Sequence, residues 1–167
     1  MNVFFVDRDP VIAARQLCDV HVVKMAVESA QILSTVQHRY GRPAPYRPTH
    51  PKHPCVLWAA ERVENYVWLH LHAQALCEEY TFRYGKQHGT QAHLDALLER
   101  PRALRSGWSE PAQAMPDEFK RADAVDAYRA FYHHKAATLP RFGYRVREVP
   151  GWLQMPVAAV AVAVAAG

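Results

Sequence analysis

Between Leu17 and Thr35 the chain reads "LCDVHVVKMAVESAQILST", and its polar side chains recur at helical intervals. At 3.6 residues per turn His21, Lys24, Glu28, Gln31 and Thr35 fall along one stripe. An imidazole, an amine and a carboxylate on one stripe are groups suited to acid–base and nucleophilic chemistry. Lys24 and Glu28 lie four apart, close enough to pair, though with Lys first, the weaker order. Val22, Val23, Ala26, Val27, Ala30 and Leu33 make much of the remaining girth apolar, so the helix should be largely buried. Two readings fit that pattern. The stripe either lines a cleft, or is a seam tied up in structural hydrogen bonds.

Other clusters carry weaker signals. His50, Lys52 and His53 precede a helix start, where unpaired amides suit a phosphate; equally, His53 simply caps the helix. Tyr80, Phe82, Arg83, Tyr84, Lys86 and His88 mix aromatic and basic groups, a composition for stacking on bases and touching phosphate, or for packing alone. "QAMPDE", from Gln113 to Glu118, places Asp117 and Glu118 on a loop, as site carboxylates or as solvated helix-start charges. Gly-rich phosphate loops, nucleophile elbows and zincin helices are all missing. The ten histidines raise the question of a metal, but His70 and His72 diverge by about 200° on a helix. The Glu-x-x-His pairs of di-iron bundles are missing as well. Neither a metal nor a cofactor is expected.

The elements that must position these groups are helical. Asp9-Pro10 is a helix start, and Asp19 is placed to cap a second helix that runs to about Tyr40 and stops at Gly41. "GRPAPYRPTHPK" is a Pro-rich connection. From His53-Pro54 the pattern predicts one unbroken helix to Gly85, roughly 45 Å long, with Leu57, Ala60, Val67, Trp68, Leu71 and Ala75 toward the core. A shorter helix follows from about Thr90 to Pro101, then a long loop over 101–120, then a helix capped by Asp123 and ended by Pro140. The expected architecture is all-α: a single compact domain of about four helices over residues 1–156, with a long central helix and long loops. Residues 157–167 read as a low-complexity apolar tail, about half the length that spans a bilayer.

Composition sets outer bounds. A chain of 167 residues with a 50% hydrophobic content is enough for one cored domain. Its net charge of +4 tilts toward an anionic partner. Cys18, Cys55 and Cys77 are scattered without metal spacing and fit a reduced, cytoplasmic protein. Neither a signal peptide nor a membrane partner is expected, and a monomer is favoured.

"CDVHVVKMAVE" resembles the first-helix motif of the phage-type pyrimidine-dimer DNA glycosylases, small all-α repair enzymes. There an Asp, then a His two residues on, precedes an apolar helix that delivers the catalytic Glu. Matched by position, Asp19 and His21 take the first two places and Glu28 the third. The segment beginning "HPCVLWAAERVENYVWLH", the Tyr-Arg-Pro-Thr-His-Pro loop and "QAMPDEFK" are similar to phage and bacterial proteins labelled as pyrimidine-dimer-glycosylase-like. The resemblance covers about residues 1–150.

The resemblance implies removal of a damaged or modified base from DNA. The family's α-amino group attacks the sugar C1′, and the resulting imine permits strand cleavage. An α-amine titrates near pH 8 and so is partly neutral at pH 7, whereas a lysine needs its pKa lowered first. The sequence departs from the family in three places. Residue 2 is Asn, which normally prevents removal of Met1. The segment before Asp19 is longer, lengthening the path from the Met1 amine to Glu28. Val27 stands where the family carries a phosphate-gripping Arg.

The leading expectation is a DNA base N-glycosylase, with or without strand cleavage, acting on double-stranded DNA. Glu28 is its carboxylate, His21 and Lys24 line the site, Asp19 orients His21, and Met1 or Lys24 supplies the nucleophile unless a carboxylate activates water. Arg47, His50, Lys52, His53, Arg83, Tyr84, Lys86, His88 and Gln113 are the candidate nucleic-acid contacts. The competing expectations are a non-catalytic nucleic-acid-binding module and a nucleotide- or nucleoside-processing enzyme.

Overall fold

The computed structural model describes residues 1–155, and the predicted apolar tail lies outside them. Six helices follow in order: α1 (Pro10–Gln16), α2 (Asp19–Arg39), α3 (Pro54–Ala59), α4 (Val63–Tyr84), α5 (Gln91–Leu94) and α6 (Ala124–Thr138). Short 3-10 turns occupy Asp95–Leu97 and Asp117–Phe119. No strand occurs among the described residues, only an isolated bridge between Arg62 and Arg105. The all-α expectation therefore holds, with six helices rather than about four.

α2 and α4 are the two long helices, and their packing, with α1 alongside α4, makes the scaffold. Val22, Met25, Ala26, Ala30, Ile32, Leu33 and Val36 of α2 are buried against Tyr66, Leu69, Ala73, Leu76 and Cys77 of α4. α2 ends as its sequence indicates: Tyr40 closes it and Gly41 takes φ +70°, a left-handed conformation that costs glycine nothing. Asp9 accepts from Val11 and Ile12 at the start of α1, and Asp123 accepts from Asp126 at the start of α6. Asp19 does not cap α2. Cys18 occupies the cap without a side-chain bond, and Asp19 is the first helical residue, drawn toward Arg83 and Arg145.

The single helix expected from Pro54 to Gly85 is in fact two. Arg62 is extended, at φ −134° and ψ 152°, so that Val63 N–H is accepted by Arg105 O at 2.8 Å. No glycine or proline marks this break; a tertiary contact with the 101–107 loop makes it. α4 is thus 22 residues, and its burial differs from the expected face. Trp68, Ala60 and Ala75 are buried as anticipated, whereas Leu57, Val67 and Leu71 are about 40% exposed. The inward positions are taken instead by Tyr66 and Leu69, and by His70 and His72, whose Nε2–H and Nδ1–H donate to the carbonyl oxygens of Leu94 and Pro10. The helix anticipated from Thr90 shrinks to α5 and one 3-10 turn. Among the described residues no helix is long and apolar enough to cross a membrane.

Candidate active site

Glu28 is the meeting point of the α2 seam and the start of the chain. Its carboxylate is only 13% exposed, and both oxygens are engaged. Oε1 receives Lys24 Nζ at 3.1 Å, one turn earlier on the helix. Oε2 accepts the backbone N–H of Asn2 at 3.0 Å and lies 3.8 Å from the Met1 α-amine. Two primary amines therefore share one partly buried carboxylate.

The longer leading segment does not keep Met1 away, because α1 and a buried thread absorb its length. Val3, Phe4, Phe5 and Val6 are all buried. Asn2 shapes this thread: its Oδ1 accepts from Val3 N at 2.7 Å and Phe4 N at 3.2 Å, and its Nδ2 donates to Ala114 O at 2.9 Å. Phe4 adopts φ +51°, a left-handed conformation that costs a non-glycine residue roughly 1–2 kcal/mol. Burial of its ring, worth about 1.5–3 kcal/mol, offsets that cost. The ring stacks on His21 at 4.3 Å and meets Tyr132 edge-on at 5.4 Å.

His21 accordingly supports the site from behind. The Tyr132 hydroxyl accepts from Cys18 N–H, which leaves its own proton for His21 Nδ1 at 2.9 Å. Burial, with Lys24 and Lys135 adding to it, pushes the His21 imidazole down to about 3, so it stays neutral. Asp19 does not orient it: Asp19 pairs with Arg83 at 3.0 Å and Arg145 at 3.4 Å.

His53 caps α3, its Nδ1 accepting from Cys55 N–H at 3.2 Å. It nonetheless belongs to the site's surroundings. Burial first, then the positive charges of the Met1 amine and His50, hold it below the ordinary imidazole range, while Glu28 pulls the other way. Cys55 sits in the same neighbourhood, and burial pushes its thiol up to about 12, which makes it a packing group rather than a nucleophile. His50 is exposed at φ +47°, its Nδ1 on Thr49 Oγ1. The Pro-rich connection is held on α2 by Thr35 Oγ1, which accepts from Thr49 N–H at 3.0 Å.

Part of the long loop also belongs here. Tyr128 of α6 donates to Ala112 O at 2.6 Å, and the turn that follows presents Ala114 O to Asn2. Gln113 is not free for nucleic acid: Nε2 donates to Arg121 O and Oε1 accepts from Arg121 N, closing the loop on itself. A cleft of about 530 Å³ borders this region, lined by Pro54 and Ala112 and reaching Arg39 and Leu57.

The aromatic–basic cluster ending α4 lies at the other end of α2 and is closed. Arg83 is fully buried, with Glu79 at 2.6 Å, Asp19 at 3.0 Å and Arg15 O at 2.9 Å around it. Its expected phosphate contact is therefore replaced by internal ion pairs. Tyr84 stacks on Tyr80 and carries the Arg145 guanidinium 4.3 Å from its ring centre. His88 is buried between Val23 O and Thr90 N–H. Arg47, Lys52 and Lys86 are exposed, but only the first two lie on the connection that borders the site.

Among the described residues no group of three His, Cys, Asp or Glu side chains is placed to hold a metal ion. The contributions of Asn2, Tyr128, Tyr132 and Cys55 carried no sequence signal, because each acts across a long sequence separation.

No curated protein and no solved structure matches the chain. A family profile described as pyrimidine dimer DNA glycosylase matches residues 1–93, the span that holds Met1, Asn2, Lys24, Glu28 and His53. That is more than half of the 167 residues, and the chain belongs to the pyrimidine dimer DNA glycosylase family.

Proposed function

We propose that the chain is a DNA base N-glycosylase acting on damaged or modified bases in duplex DNA, with Glu28 as its catalytic carboxylate and the Met1 α-amine as its nucleophile. The observation that carries this reading is the approach of that amine to within 3.8 Å of Glu28 Oε2. In its neutral form the amine has a lone pair that attacks C1′ of an extruded nucleotide. The C1′–N bond breaks with its electron pair going to the base, which takes up a proton from solvent water. Glu28 takes the proton released by the attacking nitrogen and, as an anion, stabilises positive charge developing on the sugar. Glu28 then passes that proton to O4′ as the nitrogen lone pair forms the C1′=N bond and the C1′–O4′ bond opens, leaving a protonated imine. Loss of a C2′ proton from it expels the 3′ phosphate, the strand-cleaving half of the reaction.

Lys24 supplies the second reading, since its Nζ lies 3.1 Å from the other oxygen of Glu28. Borohydride trapping on a duplex carrying an abasic site, followed by mapping of the joined residue, separates the two. A link at Met1 is expected. A link at Lys24 moves the nucleophile one turn along α2, and no link together with base release leaves water as the nucleophile. No link and no base release from ultraviolet-irradiated duplex would reduce the protein to a binding module.

A further inference from the structure

The far end of α2 carries charge that the mechanism does not use. Arg39 ends α2, Arg42 follows it, Arg62 precedes α4, and Arg100, Arg102 and Arg105 lie on the loop bridged to Arg62. Glu99 answers Arg42 at 3.1 Å and Glu61 answers Arg62 at 3.6 Å. Glu110, the other carboxylate bordering this region, faces Arg8 at 3.2 Å. Arg39, Arg100, Arg102 and Arg105 are exposed, and among the described residues no carboxylate lies within 4.0 Å of them. This end is strongly positive in a chain whose whole surplus is only +4.

Two clefts border it. The cleft of about 530 Å³ runs from Pro54 and Ala112, beside His53 and the Asn2 turn, to Arg39 and Glu61. A second, of about 410 Å³, is lined by Val63, Ser106, Arg100 and Arg102, with Glu99 among them. Eleven helical residues separate Glu28 from Arg39, roughly 16 Å, or about five base-pair steps of duplex. A duplex that runs along α2 with one nucleotide at Glu28 therefore reaches Arg39 in about half a turn.

We propose that this arginine end is a docking surface for the DNA backbone, placed about half a helical turn from the nucleotide that is processed. The inference rests on the DNA reading above. Guanidinium groups suit it because they stay protonated and bind phosphate oxygens through two parallel N–H donors. Such contacts set position and affinity without reading sequence.

The test is binding of the full chain to a 25-base-pair duplex with a central abasic site, titrated between about 50 and 200 mM salt. The variant R100A/R102A is expected to bind more weakly, with the slope of log K against log salt shallower by about 2. Its single-turnover rate at saturating DNA should match the wild type, and R100K/R102K should keep most of the slope. Arg141→Ala, beyond α6, should leave the slope unchanged. A wild type that binds while R100A/R102A shows the same slope overturns the docking surface. A wild type that does not bind the duplex overturns the DNA reading itself, and this inference with it.

Discussion

Two ion-pair clusters meet α2 about nine residues apart, at Asp19 and at Glu28, and they are built from different cations. At the start of α2, Asp19 and Glu79 are matched by Arg83, Arg145 and Arg147, with Arg83 fully buried and Glu79 accepting from two guanidinium groups. Further along, Glu28 is matched by the Met1 amine and by Lys24. A guanidinium never gives up its proton in a protein, so the first cluster can only hold the fold together. An amine can lose its proton and become a nucleophile, so the second cluster can do chemistry. The difference lies in the kind of cation beside the carboxylate: only the mid-helix cluster at Glu28 holds cations that can give up a proton. Burial alone would have singled out Glu79, whose side chain is the more enclosed of the two.

The largest effect should come from Glu28→Gln, which keeps the shape of the site and removes the proton acceptor. Base release in single turnover is expected to fall by about 10²–10⁴-fold, with duplex binding retained. Full activity in that variant would take Glu28 out of the mechanism. At the other cluster, Arg83→Met leaves Glu79 and Asp19 underpaired in a buried setting. Denaturant melts should show a loss of about 3–5 kcal/mol, the usual consequence of breaking a buried pair from one side.

Acid should separate the clusters further. Burial alone would raise the Glu79 carboxyl, but hydrogen bonds from Arg147 and Arg83 outweigh it and hold it low. Its contribution is therefore complete above the ordinary carboxylate range and is lost as pH falls through its lowered value. His21, held down to about 3 by burial, and His72, held to about 4 by burial, act in the same direction. Between pH 6.5 and those values the unfolded chain binds protons that the folded chain refuses, so stability falls as pH drops. Urea midpoints at pH 7.5 and 5 should show the decline, and His21→Asn, which still accepts from Tyr132, should flatten it. A midpoint unchanged by pH would contradict the neutral burial of both imidazoles.

The smallest effect is expected from Lys24→Met. Lys24 is 62% exposed, and a solvated i,i+4 pair contributes about 0.3–0.5 kcal/mol. Thermal melts should barely move. A large fall in borohydride trapping in the same variant would then mark Lys24, not Met1, as the amine that matters.

Some of this was legible in the residues before any coordinates. Asp9-Pro10 and Asp123 cap helices where they stand, and Gly41 closes α2, since caps and left-handed turns act over three or four residues. The alternation of apolar and polar positions put Glu28 on a seam of a mostly buried helix, and so it lies. Two features escaped for opposite reasons. The break at Arg62 has no local breaker and depends on Arg105, far along the chain. The cluster at Arg83 looked like a nucleic-acid surface because composition cannot tell an arginine facing water from one facing Glu79.

By itself, then, the sequence determined the helical class, the extent of α2 and the place of Glu28 on it, because short-range spacing governs all three. Only the tertiary structure decided which groups meet that carboxylate. The Asn2–Glu28 bond spans 26 residues and the Asn2–Ala114 bond 112, and no local preference reaches so far. Those meetings follow from how a left-handed turn at Phe4, a buried histidine and a loop held by Tyr128 close around the beginning of the chain.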